Sequence, residues 1–178
     1  PVIDVTTPAT GTDGNPLLAT PYTGPTSGGP MIFDDTGEPI WYRPVDGVFS
    51  GDLEVESYQG DDVLVWFEGV QPYGPGNYRG SWRVLDDTYT QIATVSAGND
   101  LEADIHDVDI TDDDTALVVV YNPIRMDLTA DGGRSDAIVL EAVVQEVDIA
   151  TGDVLFEWHS LDEIPVSDEL SAKLSQYL

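Results

Sequence analysis

The stretch Gln145-Glu146-Val147-Asp148-Ile149-Ala150-Thr151-Gly152-Asp153-Val154-Leu155-Phe156-Glu157-Trp158 decides the fold class. Apolar and polar residues alternate on either side of Ala150-Thr151-Gly152-Asp153, a cluster that tolerates the left-handed geometry of a tight reversal. It reads as a β-hairpin. The unit recurs as Met31-Ile32-Phe33-Asp34, then Gly37, then Ile40-Trp41. A related copy, Trp82-Arg83-Val84-Leu85-Asp86-Asp87 followed by Gln91-Ile92-Ala93, lies between the two. Copies roughly 50–60 residues apart are long for a four-stranded propeller blade, but within its reach once loops are allowed.

Outward from this unit, short β-branched and aromatic runs predict strands at 17–20, 30–34, 39–43, 53–58, 62–68, 80–85, 91–96, 105–111, 115–121, 139–149 and 153–158. Asp35-Thr36-Gly37, Gly60-Asp61-Asp62 and Asp112-Asp113-Asp114 supply further reversals between runs. Only 168–177 has helical spacing, with Leu170, Leu174 and Tyr177 on one face and Ser167 or Asp168 as cap. The pattern predicts an all-β chain: an incomplete β-propeller of about two and a half four-stranded antiparallel blades, closed by a short C-terminal helix. In this reading 1–43 is a partial blade, 53–96 and 105–158 are full blades and 168–177 is the helix. A β-sandwich of about ten strands competes, because the same spacing fits two packed antiparallel sheets.

The 178 residues suit one domain, and 41% hydrophobic residues suffice for a core. Charge is one-sided, with 34 acidic against 6 basic residues and a net charge of −28. Nucleic acid and anionic membrane are therefore excluded as partners, since both require a basic surface. Carboxylates spread along the whole chain, with one lysine, predict a salt-adapted protein whose self-repulsion is screened at high ionic strength; an acidic cation-binding surface is the rival reading. Cysteine is absent, which removes disulfides, thiolate metal sites and cysteine nucleophiles. The longest apolar run, 116–121, is far below the ~20 residues of a membrane span. Because residue 1 is proline, the chain is expected to be processed or part of a longer one.

Two histidines carry most of the chemical options. His106 lies in a predicted strand on which it shares a face with Val108 and Ile110, opposite Ile105, Asp107 and Asp109. That placement suits a core histidine; on the first strand of a blade it would instead line a central channel, where an imidazole binds an anion or moves a proton. His159, at a strand end, is expected at the surface. The aspartates at 104, 107, 109 and 112–114 invite calcium, but the Asp-x-Asp-x-Asp-Gly order and a closing Glu are missing, so no metal or cofactor is expected. Tyr73-Gly74-Pro75-Gly76-Asn77-Tyr78 precedes no helix and reads as a loop, not a phosphate cradle. No serine elbow or zinc-type histidine pair is present, and the 34 carboxylates offer no distinguishable catalytic pair. Of the arginines 43, 79, 83, 125 and 134, any that faces a channel would be an anion clamp; spacing does not choose among them.

In order, Gly29-Pro30-Met31-Ile32-Phe33-Asp34 with Gly37 and Trp41-Tyr42, Tyr58-Gln59-Gly60 with Val63 to Gly69, Val84-Leu85-Asp86 with Tyr89, Asp104-Ile105-His106-Asp107 with Thr111 and Thr115-Ala116-Leu117, and Gln145-Glu146-Val147-Asp148 with Gly152 and Phe156-Glu157-Trp158 resemble the opening of the arylsulfotransferase (ASST) family. The resemblance spans 15–165 and implies an exported β-propeller enzyme, secreted, periplasmic or at the cell surface. Such an enzyme moves a sulfuryl group from an aryl sulfate to a phenol, without a nucleotide donor, through a channel histidine. It implies that His106 holds a sulfuryl oxygen, with Asp107 orienting it where the family more often has Glu. The family's later His-x-Asn segment and its nucleophilic histidine have no counterpart here, so this chain alone is expected to be inactive and to need the remainder of the propeller or a second chain. The competing functional readings are a non-catalytic secreted propeller that binds a glycan or protein, and a structural surface protein with paired blade edges.

Overall fold

The computed structural model describes residues 16–20, 28–72, 77–164 and 166. Three antiparallel sheets follow one another along the chain. The first contains β1 (Leu17–Ala19), β2 (Met31–Phe33) and β3 (Pro39–Tyr42). The second contains β4 (Phe49–Tyr58), β5 (Asp61–Val70), β6 (Arg79–Leu85) and β7 (Gln91–Val95). The third contains β8 (Val108–Ile110), β9 (Thr115–Met126), β10 (Ala137–Asp148) and β11 (Val154–His159), and a single turn of helix, α1 (Ser160–Glu163), follows it. Every strand pairs with its neighbour in sequence. The all-β expectation holds, and the predicted helix at 168–177 and the loop residues 73–76 lie outside the described residues.

The repeated sequence unit is the last hairpin of each sheet. In the turn between β2 and β3, Asp34 Oδ1 accepts from Thr36 N–H at 2.9 Å, Thr36 Oγ1 at 2.7 Å and Glu38 N–H at 2.9 Å. Asp86 repeats the set between β6 and β7, with Thr88 N–H at 2.9 Å, Thr88 Oγ1 at 2.7 Å and Thr90 N–H at 2.9 Å. Asp148 takes Thr151 N–H at 2.7 Å between β10 and β11. Each aspartate replaces ladder bonds that the reversing backbone cannot make. These hydrogen bonds also hold the Asp34, Asp86 and Asp148 carboxyls below the usual carboxylate range.

Alternation places one core between the second and third sheets. Val63, Val65 and Phe67 of β5 and Trp82 and Val84 of β6 meet Val108 and Ile110 of β8, Ala116 and Val118 of β9 and Val147 of β10. Val65, Phe67, Trp82, Val84, Ala116 and Val118 are wholly buried. On the opposite face of the second sheet, Trp66 meets Trp41 of β3 edge-on at 6.4 Å, and the Arg43 guanidinium lies 5.4 Å from the Trp66 ring. Trp41 in turn stacks on Tyr89 at 5.0 Å and 14°. The second sheet is therefore the middle layer.

Two details depart from expectation. β9 and β10 form a hairpin paired from Thr115↔Asp148 to Met126↔Ala137, well past the predicted end at residue 121. Pro123 is tolerated because β8 pairs β9 only as far as Val118, which leaves the far half of β9 an edge where no N–H is needed. Conversely, the predicted strand 105–111 shrinks to Val108–Ile110, so His106 sits in the bend before β8, not on its apolar face. Among the described residues no helix is long and apolar enough to cross a membrane.

Candidate functional site

The link from β7 to β8 crosses between the two large sheets and is pinned to both. Gly80 N–H donates to Ala103 C=O at 3.0 Å, and Asp104 N–H donates to Val119 C=O at 2.7 Å. A side chain at Gly80 would strike the Glu68 carbonyl and the Phe67 ring, so glycine is what lets the backbones approach. Pinned this way, Asp104 is wholly buried. Its Oδ2 accepts Tyr78 N–H at 2.8 Å, and its Oδ1 accepts His106 N–H at 3.1 Å and is hydrogen-bonded to the ring Nδ1 of His106. A buried carboxylate needs such donors, and together they lock the backbone and ring of residue 106.

With Nδ1 engaged, Nε2 is the ring atom left to act, and the His106 side chain is 49% exposed. Tyr78 and Tyr121 stand edge-on to the ring, with centroids at 6.2 Å and 5.8 Å. Beside Tyr121 opens a shallow cleft of about 60 Å³ whose walls include Arg79, Asp100, Glu102 and Asn122. Arg79 is 3.7 Å from Glu102. The other arginines are placed elsewhere: Arg83 binds Glu68 at 2.9 Å, Arg134 binds Asp136 at 2.9 Å, Arg43 lies over Trp66 and Arg125 is exposed. Next to Tyr78, Asn77 is buried with neither amide atom hydrogen-bonded, a desolvation cost of about 1–3 kcal/mol.

The predicted orienting residue, Asp107, is exposed, and the carboxylate on the His106 ring is that of Asp104. Asp107 and Asp109 instead form a seam with Asp52, Glu54 and Glu56 of β4. Burial, then the charges of Asp52, Glu56, Asp107 and Asp109, push the Glu54 carboxyl up to about 7, and Glu54 Oε1 is buried without a partner. Burial and Asp107 raise Asp52, with His106 partly offsetting them; burial and Asp109 raise Glu56. Asp52 occupies a bulge in β4 with φ of +53°, which turns its side chain out of the regular alternation.

His159 is not the free surface residue expected. It is half-buried, with Nδ1 at 3.1 Å from Glu141 Oε1 and Nε2 at 3.0 Å from Glu157 Oε1. Glu141 is only 4% exposed and also accepts Asn122 Nδ2 at 3.1 Å. Glu157 Oε2 accepts from Asn99 Nδ2 at 2.8 Å and from Gln145 Nε2. Hydrogen bonds to the Glu157 and Glu141 carboxylates raise His159, whereas those received from His159, Asn99 and Gln145 lower Glu157. The cross-strand pair Gln145↔Glu157 and the position of His159 opposite Val143 bring the set onto one face. Periodicity alone carried a signal for it, since 141, 143, 145 and 147 share a strand face.

A larger cleft of about 380 Å³ lies at the hairpin ends of the second sheet, but Asp61, Asp62, Asp86 and Asp87 line it and would repel an anion. The cleft beside Tyr121 also carries Asp100 and Glu102, but it has an arginine, Arg79, among its walls. No protein of curated function and no solved structure matches the chain. The family model described as arylsulfotransferase (ASST) matches residues 54–175, most of the chain, and includes Asp104, His106 and Arg79. The ordered motifs and this match agree, and the chain belongs to the arylsulfotransferase (ASST) family.

Proposed function

We propose that this chain serves nucleotide-independent transfer of a sulfuryl group from an aryl sulfate to a phenol, with His106 holding a sulfuryl oxygen. The observation that carries the reading is the Asp104–His106 pair: a buried carboxylate on Nδ1 leaves Nε2 as the available atom of a half-exposed ring, and Tyr121, which stands against that ring, also lines the Arg79 cleft. In such a transfer the bond between sulfur and the donor's aryl oxygen breaks and a bond from sulfur to the acceptor phenol's oxygen replaces it, directly or by way of a nucleophile outside this chain; the acceptor's proton is lost, the departing phenolate gains one, and negative charge stays on the non-bridging oxygens throughout. On this reading the Arg79 guanidinium stabilises that charge together with His106, whose Nε2 has a proton to donate only when the ring is an imidazolium, because Nδ1–H is spent on Asp104; the neighbouring Asp107 tunes the field at the ring. His106 binds and does not attack sulfur.

Successive sheets stacked face to face, each ending in the same aspartate-capped hairpin, support an incomplete β-propeller completed by the remainder of the propeller or by a second chain. On this reading the chain alone is inactive, and the complete protein works outside the cytoplasm of a salt-adapted organism. The five-carboxylate seam beside His106 favours a second reading, a non-catalytic secreted or cell-surface binding module, because it opposes an anionic substrate. Release of 4-nitrophenol from 4-nitrophenyl sulfate by the complete protein, with phenol as acceptor, separates them. The transferase reading expects turnover that His106→Ala reduces at least 100-fold; unchanged turnover removes His106 from the reaction, and no turnover in the parent protein favours the binding module.

A further inference from the structure

The second histidine is linked through two carboxylates to Asn122, on one wall of the Arg79 cleft, and to Asn99, which precedes Asp100 of that cleft. Asn122, on one wall, donates to Glu141; Asn99, which adjoins Asp100 on the other wall, donates to Glu157. His159 lies between these two carboxylates, with a ring nitrogen on each. Gln145 extends the grip, since its side chain accepts Gly98 N–H at 2.8 Å and donates to Gly98 C=O at 3.2 Å. The gripped segment needs holding: Asn99 and Asp100 are consecutive non-glycine residues with φ of +56° and +63°, closed by Leu101 N–H on Gly98 C=O at 3.0 Å. Gly98 lies against Val154 of β11, so closely that a Cβ would overlap it.

We propose that His159, clasped between Glu141 and Glu157, is a proton-operated latch that sets the separation of the two walls of the Arg79 cleft. As an imidazolium, His159 donates to both carboxylates and neutralises one of their two charges. As a neutral imidazole it has one N–H, so one carboxylate faces a lone pair and the two carboxylates repel across the ring. The facing groups are Glu141 and Asn122 from β10 and β9, Glu157 from β11, and Asn99 from the link; Asp100, Glu102 and Arg79 are the charged groups at the cleft rim. Hydrogen bonding to Glu157 and Glu141 raises His159 above the ordinary histidine value and lowers Glu157 below the ordinary glutamate value, so the latch is closed between those two ordinary values and opens as pH rises through the raised histidine value. His159 is thus a positioning residue for the site around His106 and rests on that reading for its purpose.

The test is an NMR titration of the chain from pH 5 to 10 without any aryl sulfate, following the ring of His159, the amide of Gly98, the side-chain amide of Asn122 and the ring of His106. The expected result is one shared midpoint above 6.5 for His159, Gly98 and Asn122, with faster exchange of the Gly98 amide above it. In His159→Gln the shared transition is lost, while the core tryptophan signals keep their native dispersion. Glu157→Gln, a milder change, lowers the His159 midpoint. Gly98 and Asn122 signals indifferent to His159 titration, or still titrating together in His159→Gln, overturn the latch. Failure here leaves the sulfate reading intact, and a chain that latches but never transfers sulfate fails only that reading.

Discussion

The two histidines of this chain meet carboxylates in opposite ways. His106 sits in a bend with one ring nitrogen on the buried Asp104 and the other facing outward, whereas His159 ends a strand with a carboxylate on each nitrogen. The first arrangement orients a ring and leaves it available; the second consumes it. Availability therefore depends on how many partners the fold supplies, since an imidazole has only two nitrogens.

Removing Asp104 should break the contrast most severely. Asp104→Ala strips acceptors from Tyr78 N–H and from the backbone and ring of His106, and is expected to cost about 3–5 kcal/mol in a urea melt. His159→Ala should come next, at about 2–3 kcal/mol, because it leaves Glu141 buried without its cation. The pH dependence sharpens the same point. The raised His159 contributes stability that is fully present below about 6.5 and is lost as pH rises through its folded value. The lowered Glu157 contributes stability present above its ordinary 4.5 and lost as pH falls through its folded value. Stability measured against pH should thus decline on both flanks, and His159→Gln should flatten the alkaline one.

Glu54 has the opposite sign. Its carboxyl is pushed up to about 7, so its ionisation weakens the fold as pH rises from 4.5 to that value. Glu54→Gln should stabilise the chain above pH 7 by less than about 1 kcal/mol and reduce its gain in stability with added salt. A salt response unchanged in this variant would show that the seam is not where self-repulsion concentrates. The smallest effect is expected for His106→Ala, within about 1 kcal/mol, because the ring is half-exposed and Asp104 keeps two backbone donors. A larger loss would make His106 a structural residue like His159.

Strands and reversals were legible because their causes are local: a two-residue period sorts Val63, Val65 and Phe67 onto one face, and Asp34, Asp86 and Asp148 close their own turns. The same period misplaced His106, since pinning by Gly80 and Val119 bends the chain before β8 and overrides the pattern. Asp104 stood two residues from His106 in plain view, yet nothing local distinguished it from Asp107; burial did, by making one carboxylate dependent on donors and leaving the other exposed. Of the two carboxylates on His159, Glu157 is local, but Glu141 comes from 18 residues away through the pairing of β10 with β11, and Asn99 reaches Glu157 across 58 residues only through the packed link. By itself, then, the sequence determined the all-β class, the family and the repeated hairpin, each written in short-range alternation and turn chemistry. Which carboxylate serves which histidine, and so which ring remains free to bind, was decided by the tertiary structure, because burial and cross-strand register are properties of the packed chain.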